Sequence, residues 1–295
     1  MIVSDSAAAA SERGPGPTGD VQATPVLEYE RLETIAEQRK EDFAAADPFP
    51  HTVIDDFLPA EVAEKVLAEF PKPDEKWIRY NHYNENKLGL TDIDLMGSTT
   101  GAVFEALWSD RFAAFVEKLT GIRDLITDPE LDGAGLHQTL PGGFLNMHVD
   151  FLVHNKHRHW SRQVNLLIYL NKDWQSEWNG DLEIWDAQMK RHVASVVPVF
   201  NRCVIFHTQR RSFHGHPHRL TCPAGNSRKS LILYYYRDED KVQRLEPTLY
   251  HALPNDPAHK KALVWADWNA VRAYSFLKRY AGLTDGFVNR FLRKF

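Results

Sequence analysis

The chain is short of cysteine. Two residues, Cys203 and Cys222, are too few for a disulfide framework and too sparse for a thiolate metal site, which excludes stapled secreted folds and points to a reducing, cytoplasmic setting. Long apolar runs are missing too: nothing approaches the ~18 residues of a membrane span, so no membrane is expected as a partner. The first residues, Met-Ile-Val-Ser-Asp and then Ala, Ser, Gly and Pro, have neither the basic nor the apolar segment of a secretory leader. Nor is there an excess of positive charge. Lys and Arg number 35 against 40 Asp and Glu, a net charge of −5, so no global field draws a polyanion and nucleic acid is not expected as a partner. No internal repeat is found, and the oligomeric state is not legible.

What is present is core-forming content. Hydrophobic residues make up 43% of the 295 and aromatics 12%, enough for one large domain or two ordinary ones. Residues 1–24 are low in complexity and read as a disordered tail. Residues 25–130 read as a mainly helical support region: Leu32, Ile35, Ala36 and Phe43 have helical spacing, Val62, Val66, Leu67 and Phe70 repeat it, and a third helix carries Phe104, Leu107, Trp108, Phe115 and Leu119 and stops at Gly121. Trp77 to Met96 shows no clean period, as expected of a segment that covers a site or runs over the surface.

Residues 131–240 change character, to short β-prone runs broken by Gly, Pro and Asn. Eight candidate strands, 134–140, 145–149, 163–170, 181–185, 191–197, 202–207, 212–216 and 228–236, suggest a double-sheet jelly roll. In 241–295 the chain returns to helix after Pro257, with Leu263, Ala270, Tyr274 and Leu277 on one face and an aromatic-basic segment from Gly286 to Phe295. The fold class is α+β, a double-stranded β-helix core with supporting N- and C-terminal helices. The basic and aromatic C-terminal residues fit a helix packed on the core better than a membrane-surface helix.

Chemistry concentrates around His148-Val149-Asp150. Ligand-type side chains at i and i+2 on an extended segment point to one side, so one strand end presents an imidazole and a carboxylate together. Ser212-Phe213-His214 supplies a second imidazole, and Arg228 opens the strand-like run after it. Two imidazoles and a carboxylate form the facial triad that holds non-haem Fe(II) with positions left open, and an Arg fork can bind the distal carboxylate of a 2-oxo acid. Of 14 histidines, ten lie between His137 and His218; His154, His157, His159 and His218 sit in polar stretches and read as solvated surface groups. On a regular strand His214 and His216 face the same way, so periodicity does not choose between them.

The stretch from Gly133 to Asp238 resembles the 2-oxoglutarate and Fe(II)-dependent oxygenases, in their prolyl-4-hydroxylase-like branch. The likeness is densest in residues 166–174 (Leu-Leu-Ile-Tyr-Leu-Asn-Lys-Asp-Trp), 179–185 (Asn-Gly-Asp-Leu-Glu-Ile-Trp), 212–217 (Ser-Phe-His-Gly-His-Pro) and 228–231 (Arg-Lys-Ser-Leu). It implies His148, Asp150 and His214 as iron ligands, with Ser-Phe-His favouring His214 over His216. It also implies Arg228 as the anchor of 2-oxoglutarate and Tyr169 as a hydroxyl donor to the same carboxylate. Asn165 shares the face of Leu167 and Tyr169 and is expected to line the pocket. The branch often carries a tyrosine nine or ten residues before the first ligand; here Gln138 and Thr139 stand there, leaving His137 or Thr139 to substitute.

The resemblance implies an Fe(II)- and 2-oxoglutarate-dependent dioxygenase that hydroxylates or desaturates a small molecule or peptidyl residue, with proline-like substrates as the fold-level analogy. O2 is consumed, succinate and CO2 leave, and ascorbate is expected to support turnover in vitro. Asp150 fills the position that related halogenases leave open for chloride. The competing classes are a cupin-like metal enzyme of different chemistry, which has no need of the Arg228 clamp, and a non-catalytic jelly-roll binding module, which has no need of three ligands. For the substrate, the basic and aromatic loop 151–162 is a candidate lid, and Tyr80, Tyr83, Glu85 and Lys87 are candidates for a second wall.

Overall fold

The computed structural model describes residues 25–281, with side chains as far as Ala273. The expected tail 1–24 and the segment 286–295 lie outside the described residues. The chain opens with α1 (Tyr29–Ala45), β1 (His51–Ile54) and α2 (Ala60–Glu69), followed by the hairpin β2 (Ile78–His82) and β3 (Glu85–Leu90). Next come α3 (Ser98–Trp108), α4 (Asp110–Thr120) and β4 (Leu125–Thr127). The central strands are β5 (Gly135–Thr139), β6 (Phe144–Val149), β7 (Trp160–Tyr169), β8 (Leu182–Trp185), β9 (His192–Val196), β10 (Arg202–His207), β11 (His214–His216) and β12 (Arg228–Asp238). A two-residue β13 (Leu249–Tyr250) and α5 (Ala258–Ala281) follow.

The strands form one rolled sheet in the order β1-β10-β7-β12-β5-β3-β6-β11-β8-β9, with β2 on β3, β4 on β12 and β13 on β6. The pairings are antiparallel, including the central β10/β7, β7/β12, β12/β5 and β6/β11 ladders. All eight expected central strands are present, and residues from β5, β7 and β12 face residues from β6, β8 and β11 across a pocket. The fold is α+β with a jelly-roll core.

Strand alternation on β12 explains where core and pocket lie. Leu231, Leu233 and Tyr235 are at most 1% exposed and join the helix-side core, while Arg228, Ser230, Ile232 and Tyr234 turn to the pocket. On the helix side, Phe112, Phe115, Val116 and Leu119 of α4 recur at helical spacing and are buried. The Tyr235 hydroxyl donates to the Leu107 carbonyl at 2.7 Å, fastening the α3 end to the sheet. Truncating a fully buried Phe costs about 3–5 kcal/mol, so this layer is a large part of what keeps the sheet rolled.

Four expectations are corrected. The third helix is two helices, because Ser109 leaves helical geometry and its hydroxyl caps α4 by accepting the Phe112 N–H at 3.2 Å; Gly121, at φ 74°, ends α4 as expected. The N-terminal region adds strands β1 to β4 as well as helices, and the aperiodic Trp77–Met96 segment contains the β2/β3 hairpin, whose β3 pairs with β5 and β6.

The loop 151–162 is not all solvated. Its last three residues begin β7, Arg162 is 2% exposed, and His154 is fully buried. His154 Nδ1 accepts the N–H groups of Lys156 and His157 while Nε2 faces Asp128 at 3.1 Å, so this histidine organises its loop. Finally, α5 buries Val264 and leaves Leu263 and Ala270 exposed, because Asp267 is drawn inward by His82 and Asn84, turning that face to the core. The side chains of Tyr274 and Leu277 lie outside those described.

Candidate active site

β6 and β11 pair with His148 directly opposite His214, so residues far apart in sequence meet across one ladder. Their rings are 4.4 Å apart at 51°. Asp150 follows the end of β6, and one ligand atom from each of His148, Asp150 and His214 lies within 4.8 Å of the others. His148 Nε2 is 3.4 Å from Asp150 Oδ1 and His214 Nε2 is 3.3 Å from Oδ2.

The outer atoms of these residues are engaged. His148 Nδ1 bonds the Asn146 carbonyl at 3.0 Å and His214 Nδ1 bonds that of Ser212 at 2.9 Å. A carbonyl can only accept, so both rings carry Nδ1–H and turn the Nε2 lone pair inward, as a metal-binding imidazole must. Asp150 Oδ2 accepts from Asn165 Nδ2 at 2.7 Å and faces Arg162 Nη2 at 3.2 Å. Asn165 is itself held by Arg162 Nε at 2.7 Å and by the Thr208 hydroxyl at 3.1 Å. Arg162 stacks over Tyr234, its guanidinium carbon 3.2 Å from the ring centroid.

Electrostatics keep the donors in ligand form. Burial alone would raise the Asp150 pKa, but the charge of Arg162 and then of His214 outweighs it and holds the carboxyl well below its ordinary range. Burial, helped by the charge of His214, lowers His148 and favours neutral imidazole. Two imidazoles that turn Nε2 inward and one carboxylate, all with fixed outer bonds, suit Fe(II), so the donor set fits that metal.

A few residues away the pocket changes character. Arg228 opens β12 at 5% exposure, with Nε donating to the Gly180 carbonyl at 2.7 Å and Nη2 to the Tyr169 hydroxyl at 3.1 Å. Gly180, at φ 88°, could not carry a side chain there: a Cβ would come within 2.7 Å of Leu220 and 3.3 Å of Arg228. Tyr169 is fully buried beneath the guanidinium, 4.8 Å from ring centroid to Cζ. Thr139 pairs with Arg228 across β5/β12 and lines the pocket, as does His137, whose pKa burial pushes down to about 3. His137 Nε2, His216 Nδ1 and Ser230 Oγ are buried without hydrogen-bond partners and line the same pocket.

His216 is near but not in the triad. The register slips between His214, opposite His148, and His216, opposite Leu145, so the two are not equivalent positions on one face. Gly215 permits the approach, since a Cβ would meet the Leu145 and Asn146 carbonyl oxygens at 2.9 Å. The reading of residues named Arg162 only as part of the candidate lid and Glu85 only as a candidate wall, and it missed Ser230 and the joining of Glu85, His82 and Asp267 into one chain. It placed Lys87 on a substrate wall, whereas Lys87 lines the pocket that also contains His148 and Arg228. Alternation on β12 was the signal for Ser230; no local signal marked Arg162.

A sequence model of the 2OG-Fe(II) oxygenase superfamily matches residues 134–236. Prolyl hydroxylase EGLN3 of Mus musculus is 28% identical over 82 residues, 28% of this chain and 32% of the relative, and the Homo sapiens protein is 27% identical over the same shares. The match therefore spans about a third of the length of these curated relatives. A Pseudomonas putida prolyl-4-hydroxylase superposes with a TM-score of 0.51 at 21% identity, covering 69% of this chain and 99% of that one, which establishes a shared fold.

Proposed function

We propose that this chain, whose residues 134–236 belong to the 2OG-Fe(II) oxygenase superfamily, is an Fe(II)- and 2-oxoglutarate-dependent hydroxylase. The observation that carries the reading is that one pocket contains both the triad and the buried Arg228–Tyr169 pair. His148, Asp150 and His214 would hold the metal. Asn165 and Arg162 hold Asp150 through Oδ2, so the carboxylate would be fixed in place beside the two imidazoles for the metal, and three protein ligands would leave room for co-substrate and O2. Bound Fe(II), with O2 and 2-oxoglutarate, supplies the oxidation of an unactivated C–H bond with release of succinate and CO2.

The residues of this chain do the positioning. Arg228 takes the distal carboxylate of 2-oxoglutarate in its fork. Tyr169 accepts from Arg228, which leaves its own O–H proton for the same carboxylate. Leu167, Leu182 and Ile232 line the pocket with apolar surface that limits water around the reacting atoms. The presence of Asp150 favours hydroxylation or desaturation over halogenation.

The substrate is a small molecule or a peptidyl residue, with proline-like groups suggested by the prolyl hydroxylase relatives. Its approach is supported by a second groove that shares Arg162 with the pocket and is bounded by Leu152, Gln163, Arg210, Arg244 and Glu246. Both cysteines are buried and unpaired, which supports a cytoplasmic setting, and among the described residues no helix is long and apolar enough to cross a membrane. The test is conversion of 2-oxoglutarate to succinate by purified protein with Fe(II), ascorbate and O2, alone and with prolyl peptides. Tight metal binding without any succinate would replace this reading with the cupin-like or binding-module alternatives.

A further inference from the structure

Lys87 is the one pocket residue whose charge the oxygenase reading does not use. It lies on β3, and the register Leu88–Gln138 carried one step along the antiparallel ladder puts Lys87 beside Thr139, which itself pairs with Arg228. A row across three neighbouring strands thus begins and ends with a cation, the backbones roughly 10 Å apart, two inter-strand spacings. Both side chains line the same pocket, with the unpartnered His137 Nε2, His216 Nδ1 and Ser230 Oγ on its walls. The Lys87 ammonium is steadied from outside by Glu85 Oε2 at 3.3 Å and by the Tyr80 ring, 5.2 Å to its centroid.

The two cations are not placed alike. Lys87 stands on β3, which pairs with β6, the strand of His148, whereas Arg228 stands on β12, separated from β6 by β5 and β3. Lys87 therefore sits toward the triad and Arg228 away from it. The geometry points to Lys87 as a second carboxylate grip that holds the end of the 2-oxo acid next to the keto group while Arg228 holds the distal end. The inference rests on the oxygenase reading and deepens it: the pocket recognises its co-substrate as a dianion, with one cation for each end.

The experiment compares two ligands on protein loaded with Mn(II), by calorimetry and without primary substrate. N-oxalylglycine keeps both carboxylates of 2-oxoglutarate; 2-oxopentanoate has the same chain length but only the carboxylate beside the keto group. Lys87→Met is expected to weaken both ligands by a similar factor, about tenfold, with Lys87→Arg recovering most of the loss. Arg228→Met is expected to weaken the diacid and leave the monoacid near the wild-type value. Unchanged Mn(II) affinity and circular dichroism in Lys87→Met confirm an intact fold and triad.

The proposal is overturned if Lys87→Met binds the diacid as wild type does, which would reduce Lys87 to a partner of Glu85. It is also overturned if Lys87→Met weakens the diacid alone, which would assign Lys87 to the distal carboxylate. In both cases loss of diacid affinity in Arg228→Met shows that the pocket reading itself stands. If wild-type protein binds neither ligand, the oxygenase reading falls and this inference with it.

Discussion

The metal end and the co-substrate end of the pocket are built from the same residue types but finished differently. At the triad the outer atoms of the three ligands are spoken for, His148 and His214 bonding backbone carbonyls through Nδ1 and Asp150 Oδ2 held by Asn165 and Arg162, with Arg162 Nη1 behind them the buried atom left unpartnered. Around Arg228, in contrast, His137 Nε2, His216 Nδ1 and Ser230 Oγ are buried and unpartnered. A buried polar atom without a partner costs about 1–3 kcal/mol. The first region is organised by the protein alone. The second is finished by what it binds, which is how a pocket makes its affinity depend on a polar ligand.

The comparison breaks most severely at Asp150. Asp150→Ala is expected to abolish succinate formation and, in metal-free protein, to leave Arg162 buried without its carboxylate, a loss on the order of 3–5 kcal/mol. Urea unfolding of the metal-free variant measures that loss, and a midpoint equal to wild type would mean that Arg162 does not depend on Asp150. Asn165→Ala keeps the ligand and removes the 2.7 Å bond that orients it, together with the acceptor for Arg162 Nε and the Thr208 hydroxyl. Metal affinity is then expected to fall about 10–100-fold, read by chelator competition.

How much of this was legible follows from what each residue has for neighbours in sequence. The central strands were readable because β-prone runs such as 163–170 and 228–236 are apolar and bounded by Gly, Pro or Asn, and His148 and Asp150 announce themselves by spacing. Arg162 did not, because it stands just past the polar run Asn155-Lys156-His157-Arg158-His159, and only the tertiary fold shows the Phe151 and Tyr234 rings that enclose it. Only the resemblance at Ser-Phe-His favoured His214 over His216; strand periodicity did not, since the choice depends on a register slip against β6, a property of two strands together. The hairpin that carries Lys87 was hidden for a related reason: β2 mixes exposed and half-buried residues, and its stability comes from β3 and α5.

That hairpin gives a smaller effect, which sharpens the contrast by testing what steadies the co-substrate end. His82 bridges Asp267 of α5 at 2.7 Å and Glu85 of β3 at 2.9 Å. Burial lowers the His82 pKa, but hydrogen bonds to Asp267 and Glu85 outweigh it and raise it from 6.5 to about 9. Because the folded value lies above the unfolded one, the stabilisation is complete below about pH 6.5, declines as pH rises toward 9, and is gone above that. Its size is on the order of 3 kcal/mol. In urea unfolding, the gap between wild type and His82→Gln is expected to be widest near pH 6 and to narrow steadily to pH 9.5. A gap that does not change with pH would show that the imidazolium charge plays no part in joining the hairpin to α5.

The smallest effect separates two histidines that look alike in sequence. His154 and His218 both stand in polar stretches, yet His154 is fully buried whereas the His218 side chain is 60% exposed, 3.2 Å from Glu183. An exposed ion pair is worth about 0–1 kcal/mol, and His218 lies outside the pocket that holds the triad and Arg228. Glu183 keeps a second partner, since Trp185 Nε1 donates to it at 2.8 Å, so losing the histidine does not strand a buried carboxylate. His218→Ala is therefore expected to leave succinate formation and the metal titration at wild-type values and to move stability by no more than about 0.5 kcal/mol. If it lowered metal affinity as Asn165→Ala is expected to, the assignment of the triad to the β6/β11 ladder would be wrong, because His218 lies outside the pocket that holds those three ligands.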